Sequence, residues 1–422
     1  MFWRSLWWWN RFLLNGKSTG VSLRYNDNGI LILPTLTAQD GYWYLDEVKT
    51  PISVNTLASF DRDTSEVYFK GLLIFNNTLY LYESSDNIDA IPIIDARFYQ
   101  VPEYWLKQLV EKEKMAEAAI RDSEGNGVSF VFFTDAHWGK NMRRSPALIR
   151  HIVDFTPVSD VIFGGDVITT HSTNPASSIE TGLDFQMSFA YLGTHFHCLY
   201  GNHDNNSDSQ PKRTEYHLSD EQVYYWLQRQ MTDVVYGDYF NYYYDDPLAK
   251  TRIICLDTGR YYYSVFRDKI PTTVAFTIDA LSSLPEGWHA IMASHIWCNA
   301  RKQSDGTYGH YFEAYIKSFL KLFDDYNSRL SGAYRFNSIS IPYDFSQAGG
   351  SIEFCIGGHT HHNFTTKSDK GIPIIIVISD SFNIPEEGTT NEQSITIVVT
   401  DYKQRKLNLF VVGRGDDRCI DL

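Results

Sequence analysis

From residue 128 onward the chain alternates short strand-like apolar runs with longer segments of helical periodicity. Val128–Phe133, Val161–Phe163, His195–Tyr200, Tyr239–Tyr244, Arg252–Leu256, His289–Ala293, Ser351–Cys355, Ile372–Ile378, Ser394–Thr400 and Lys406–Val411 read as strands. Ser145–Phe155, Ser178–Leu192, Ser219–Met231, Thr273–Leu284 and His310–Arg329 read as helices between them. Such alternation predicts an α/β domain. The first hundred residues differ. Val21–Tyr25 and Ile30–Leu33 flank the turn sequence Asn26-Asp27-Asn28-Gly29, and Gly71–Phe75 and Thr78–Tyr82 flank Asn76-Asn77 as a hairpin. A small β-rich domain is expected there, with nothing that suggests chemistry. Tyr104–Asp122 reads as a helix whose apolar face is Leu106, Val110, Met115 and Ala119, with Glu111–Lys114 on a solvated flank; Ser123–Gly127 ends it. The expected organisation is an accessory β-rich domain over 1–102, a linker helix and turn over 103–127, and the α/β domain over 128–422.

Composition narrows the class. A chain of 422 residues with 43% hydrophobic and 21% charged residues is ordinary for a large globular protein. The net charge of −14 argues against coating a polyanion or an anionic membrane, since neutralising phosphates needs a basic face. Nucleic acid therefore enters only as a substrate. The five cysteines are odd in number and irregularly spaced. Cys198, Cys255 and Cys355 lie in strand-like runs, which suits reduced, buried thiols and a reducing compartment. The aromatic N-terminus, Met1–Leu14, is interrupted by Arg4 and Arg11, is too short to span a bilayer and lacks a signal-peptide cleavage site. It is expected to dock on its own domain or on another subunit or protein, a membrane-surface foot being the alternative. No transmembrane run occurs elsewhere, and the expected location is cytoplasmic or virion-associated.

All 13 histidines lie at or beyond His137, and many fall in clusters that end strand-like runs. In order these are Asp135-Ala136-His137, Gly164-Gly165-Asp166, Gly201-Asn202-His203-Asp204, Ser294-His295 and Gly357-Gly358-His359-Thr360-His361. A single histidine or aspartate after a strand is usually a turn or core residue. Five ordered clusters of oxygen and imidazole donors instead describe a two-metal hydrolytic site. Two ions about 3.5–4 Å apart neutralise phosphoryl oxygens and generate hydroxide near neutral pH. Holding them so close favours a shared carboxylate, for which Asp166 in its tight turn is the candidate. In an extended segment His359 and His361 would share one face, and Gly357-Gly358 would let the backbone approach closely. The donor set suits Mn²⁺, Fe, Zn²⁺ or Ni²⁺.

These five blocks, in this order, resemble the calcineurin-like metallophosphoesterase superfamily over Val128–Val412. The resemblance implies a four-layer α/β/β/α sandwich and two divalent ions. One would be held by Asp135, His137, Asp166 and His361, the other by Asp166, Asn202, His295 and His359. It further implies a bridging hydroxide that attacks phosphorus in line, His203 assisting the leaving oxygen, and Asp204 orienting His203. A phosphodiester is the favoured substrate over a monoester, because an alkoxide leaving group needs a proton. Lys140, Asn141, Arg143 and Arg144 are candidates for gripping the substrate phosphate or are solvated loop residues, and His171 is a candidate for lining the pocket. His362 is expected to be exposed, and His151, His195, His197, His217, His289 and His310 structural. Where many relatives carry a further Asp soon after Gly-Asp, this chain reads Val167-Ile168-Thr169-Thr170. Phe133–Trp138, Gly413–Arg418 and the extra N-terminal domain are together similar to phosphoesterases encoded by bacteria and their phages. The rival reading is a structural component, of a virion or a surface complex, in which the metal site is accessory.

Overall fold

The structure is a computed structural model of the chain. It describes residues 101–422 apart from 139–143, 170–173, 190–191, 208–213, 260–268, 305–307 and 382–383, together with the backbone of the strands within the first hundred residues. The chain divides into two units, Met1–Gln100 and Val101–Leu422. In the first, the described strands pair antiparallel. Gly71–Phe75 and Thr78–Tyr82 form the hairpin expected from Asn76-Asn77, which Ile91–Asp95 extends. Leu36–Gln39, Tyr42–Leu45 and Val48–Ser53 form a second meander. The aromatic stretch 1–10 lies outside the described residues.

The second unit opens with helix α1 (Glu103–Asp122), which packs against two strands of this same unit. Its buried face is Trp105, Leu109, Glu113 and Ala116, whereas Leu106, Val110 and Met115 are exposed. The expected apolar face is therefore the wrong one. Two apolar stripes of similar strength run along this helix, and a partner decides between them: Trp105 donates its indole N–H to the buried Glu392 at 2.9 Å. Glu113, expected on a solvated flank, turns inward and pairs with His151 at 2.7 Å.

Two sheets follow. The first is built from β1 (Ser129–Phe133), β2 (Asp160–Phe163) and β3 (His195–Cys198) in parallel, with β11 (Ser394–Asp401), β12 (Lys406–Gly413) and β13 (Arg418–Asp421) antiparallel beyond β1; its order is β3-β2-β1-β11-β12-β13. The second contains β4 (Val235–Tyr236), β5 (Tyr242–Asp246), β6 (Thr251–Leu256), β7 (His289–Ser294), β8 (Ser351–Gly357), β9 (Phe364–Lys367) and β10 (Pro373–Ile376), ordered β4-β5-β6-β7-β8-β10-β9 with β6, β7, β8 and β10 parallel.

Alternating side chains show what covers each face. On the second sheet Ile254, Leu256, Met292, Cys355 and Ile374 join one core with α5 (Ile270–Ser282) and α6 (Ala314–Asn327), through Val274, Leu281, Phe319 and Phe323. Their neighbours Ile253, Cys255, Ile291 and Ile375 are equally buried but face the first sheet. There Tyr244 stacks on His197 and Tyr402 on His289, each at 3.7 Å. The first sheet's outer face carries an aromatic cluster. Phe133, Phe163 and Phe196 pack against Phe185 of α3 (Pro175–Ser188) and Phe189 just after it, α2 (Ser145–Phe155) and α4 (Asp220–Leu227) being the neighbouring helices in chain order. The result is a four-layer α/β/β/α sandwich.

Two hairpins, Asn299–Lys302 with Tyr308–Tyr311 and Ser331–Phe336 with Ile339–Asp344, bracket α6. His310 belongs to the first of them, not to the helix expected from His310 onward; over so few residues its aromatic neighbours fit either period. Among the described residues no helix is long and apolar enough to cross a membrane. The described cysteines are all unpaired, four of them buried.

The face of α1 is testable. Trp105→Ala should destabilise the chain by about 3–5 kcal/mol through its cavity, while Val110→Ser should change stability by less than about 0.5 kcal/mol, both read by denaturant unfolding. A larger effect at Val110 would reverse the assignment.

Candidate functional site

All five clusters lie just beyond the carboxyl ends of parallel strands: Asp135 and His137 after β1, Asp166 after β2, Asn202–Asp204 after β3, His295 after β7, and His359 and His361 after β8. Parallel strands present such loops at one edge. The chain turns sharply there. Asp135, His137, Asp166, His359 and His361 all have positive φ, between 42° and 72°. Each costs on the order of 1–3 kcal/mol in a residue other than glycine, and such strain gathers at functional sites. Backbone bonds hold these turns: Asp135 N–H to Gly165 O at 2.9 Å and His137 N–H to Asp166 O at 3.0 Å. Two glycines are required by contact. A Cβ at Gly201 would lie 2.1 Å from Asp166 Oδ1, and one at Gly358 would lie 2.3 Å from Asp135 Oδ2.

His359 and His361 do not share a face of an extended strand, as the sequence suggested. β8 ends at Gly357, and both residues are left-handed. Their imidazoles enter different clusters: His361 with Asp135 and His137, His359 with Asp166 and His295. A third grouping, His137, Asp166 and His203, lies between them. Within each, one donor atom per residue lies within 4.8 Å of the others.

Hydrogen bonds fix which nitrogens carry lone pairs. His295 Nδ1 donates to Gly164 O at 2.8 Å, which turns Nε2 to the carboxylates, 3.1 Å from Asp166 Oδ2 and 3.9 Å from Asp135 Oδ1, as the nitrogen that an ion would take in place of a proton. His359 Nε2 donates to Asn299 Oδ1 at 2.8 Å; Asn299 in turn gives its amide N–H to Glu313, so His359 Nδ1 holds the lone pair. His137 Nδ1 faces Ile168 O at 3.3 Å, and its Nε2 lies 3.3 Å from His361 Nε2. Two imidazole nitrogens at that distance need a proton or a cation between them. Asp135 Oδ1 and His295 Nε2 are buried without a hydrogen bond. Buried polar atoms are normally bonded, so these two fit metal donors.

The electrostatics agree. Burial alone would raise both carboxylates, but His295 and His361 around Asp135, and His295 and His203 around Asp166, hold them below the usual range. Against burial, Asp166 and Asp135 lift His295 to about 10 and raise His361. Burial, then the charge on His295, pushes His359 down to about 3; burial also lowers His137. This is an anionic pocket that takes up positive charge, and a dication competes with protons for the same nitrogens.

Asn202 is buried in the turn whose next residue, His203, donates its N–H to Asp166 Oδ1 at 2.9 Å. The ring of His203 places Nε2 3.8 Å from Asp166 Oδ2. Asp204 acts as a backbone clamp: Oδ2 accepts from Gly201 and Asp166, and Oδ1 from Val167 and Ile168, at 2.8–3.3 Å. Burial and then Asp166 push it up to about 7 against those donors. Arg144 lies 3.7 Å from Glu392. Lys140, Asn141, Arg143 and His171 lie outside the described residues. His362, expected to be exposed, is half-buried against Tyr308. Sequence reasoning missed Asn299 altogether. It lies outside every motif, and only its hydrogen bond to His359 marks it.

The family model for calcineurin-like phosphoesterases matches residues 128–363. Among solved structures the chain is similar to a dimetal phosphatase from Danio rerio, at 14% identity and a TM-score of 0.42, over 70% of this chain and 98% of that one. It is also similar to a phosphopantetheinyl hydrolase from Mycobacterium tuberculosis, at 12% identity and a TM-score of 0.30, over 60% and 91% of the two chains. No curated protein matches it.

Asn299→Leu should weaken divalent-ion binding about 10–100-fold, the usual cost of losing a partner that orients a ligand. Calorimetric titration with Mn²⁺ reads this directly, and Asn299→Asp, which keeps the acceptor, should restore most of it. Unchanged affinity in the leucine variant would reduce Asn299 to a packing residue.

Proposed function

The chain belongs to the calcineurin-like phosphoesterase family, and on that premise we propose that it is a two-metal hydrolase of phosphodiesters. Asp135, His137, Asp166 and His361 would hold one ion, and Asp166, Asn202, His295 and His359 the other. The observation that carries this reading is the set of adjoining Asp/His clusters, two of which share the buried Asp166, with His295 and His359 oriented by backbone and side-chain acceptors. The donor set of carboxylate, amide and imidazole fits Mn²⁺, Fe, Zn²⁺ or Ni²⁺. Once bound, the ions supply neutralising charge for phosphoryl oxygens and a hydroxide near neutral pH.

The remaining work falls to the chain's own groups. The Asp135, Asp166 and His295 side chains are almost fully buried, whereas His361 is 45% and His203 21% exposed. Substrate therefore meets the site from the His203–His361 side. His203 Nε2 is the group on that side able to hand a proton to the departing oxygen. An alkoxide leaves poorly without one, which favours a diester over an aryl monoester. Asp204 acts by holding the turns of Asp166 and Asn202 together, which sets where His203 stands.

Supplied with Mn²⁺, the full chain should cleave bis-p-nitrophenyl phosphate with a higher kcat/KM than p-nitrophenyl phosphate. His203→Gln should lower kcat about 10²–10⁴-fold on a diester with an alkyl leaving group, and less on the nitrophenyl diester, whose leaving group needs no proton. Inactivity of the folded chain with each common divalent ion would overturn the catalytic reading. Equal losses on both diesters would remove His203 from proton donation.

A further inference from the structure

We propose that Asp160, His195 and His197 form a separate site for a tetrahedral transition-metal ion of the Zn²⁺ type, at the outer edge of the first sheet. β2 and β3 pair in parallel with Asp160 opposite His195. Side chains at these positions, and at His197 two residues on, emerge on one face. Asp160 Oδ1 lies 3.4 Å from His195 Nδ1 and 3.4 Å from His197 Nε2. A tetrahedral ion with bonds of about 2.0–2.1 Å to nitrogen and oxygen separates its donors by about 3.3–3.4 Å. Two of the donor separations already stand at that spacing, and one donor atom from each of the three residues lies within 4.8 Å of the others.

A second observation is independent of that spacing. His197 is 1% exposed, yet beyond the 3.4 Å approach of Nε2 to Asp160 neither ring nitrogen makes a hydrogen bond. Tyr244 stacks on it with the rings 2° from parallel, and the buried Tyr244 hydroxyl also lacks a hydrogen bond. Buried polar groups left this way are costly, and a metal ion on His197 removes much of that cost. The surroundings suit a ligand set. Ser159 Oγ donates to Asp160 Oδ2 at 2.6 Å, leaving Oδ1 for the ion. His195 Nε2, the nitrogen left free of the ion, points toward Asp233 Oδ2 at 3.8 Å, an exposed ion-pair distance. Access is open, since the His195 side chain is 57% exposed and lines a surface groove of about 730 Å³.

The site is distinct from the phosphoesterase centre. It sits at the amino ends of β2 and β3, whereas Asp166 and Asn202 follow their carboxyl ends. Its consequence is mechanical: an ion here ties the edge strand β3 to β2 and to the facing Tyr244. Nothing in it depends on the proposed hydrolysis.

The test uses the full chain, stripped with a chelator and titrated with Zn²⁺, and with Co²⁺ as a spectroscopic probe. Wild type should bind one more equivalent of Zn²⁺ than His195→Ala, by elemental analysis after equilibrium dialysis. It should also show a tetrahedral Co²⁺ absorption that the variant loses, while phosphoester hydrolysis stays unchanged. Asp166→Asn should retain this absorption. His195 is at the surface, so circular dichroism should find the variant folded; if it is not, His195→Gln serves in its place. Equal metal content and the same Co²⁺ spectrum in wild type and the folded variant would overturn the proposal.

Discussion

Asp166 carries a negative charge almost wholly out of water, at the point where histidines from both sheets converge. An isolated buried carboxylate would cost several kcal/mol, so the surrounding structure has to answer that charge. His295 and His203 stand beside it, and the backbone N–H of His203 bonds to Oδ1. Asp204 grips the same turn from behind through four backbone donors. Gly201 is there because any side chain would displace the carboxylate.

This constraint explains why the fold is a double sheet. A single sheet supplies loops at one edge, but the donors that meet around Asp166 come from two. The bond from His295 Nδ1 to Gly164 O crosses from a loop of the second sheet to one of the first and fixes the ring's tautomer as it does so. The apolar contact between the sheets, and the helices on their outer faces, hold both sets of loops at one end. Backbone strain in five of the proposed ligands is the cost of turning each loop inward. It is sustained because the strands beneath them are buried on both faces.

Much of the candidate site was legible because metal donors have restricted chemistry. Asp135, His137, Asp166, His295, His359 and His361 stand in short motifs after apolar runs, and the structure gathers all six. The extended geometry expected of His359 and His361 is replaced by left-handed turns that send the two imidazoles into separate clusters. The face of α1 was misjudged because the sequence contains two comparable stripes, and Glu392, some 290 positions away in sequence, selects the one bearing Trp105. Asn299 gave no signal, since an asparagine in a hairpin is ordinary until its oxygen is found on an imidazole.

The sequence by itself determined the alternation of strands and helices, the hairpin at Asn76-Asn77, and the residue types able to bind ions. These are local properties, set by periodicity and by the donor atoms of each side chain. Tertiary structure alone decided which lone pairs point inward, which stripe of α1 is buried, and that Asp160 meets His195 and His197 across neighbouring strands. Those outcomes depend on partners distant in the chain, and no window of sequence contains both members of such a pair.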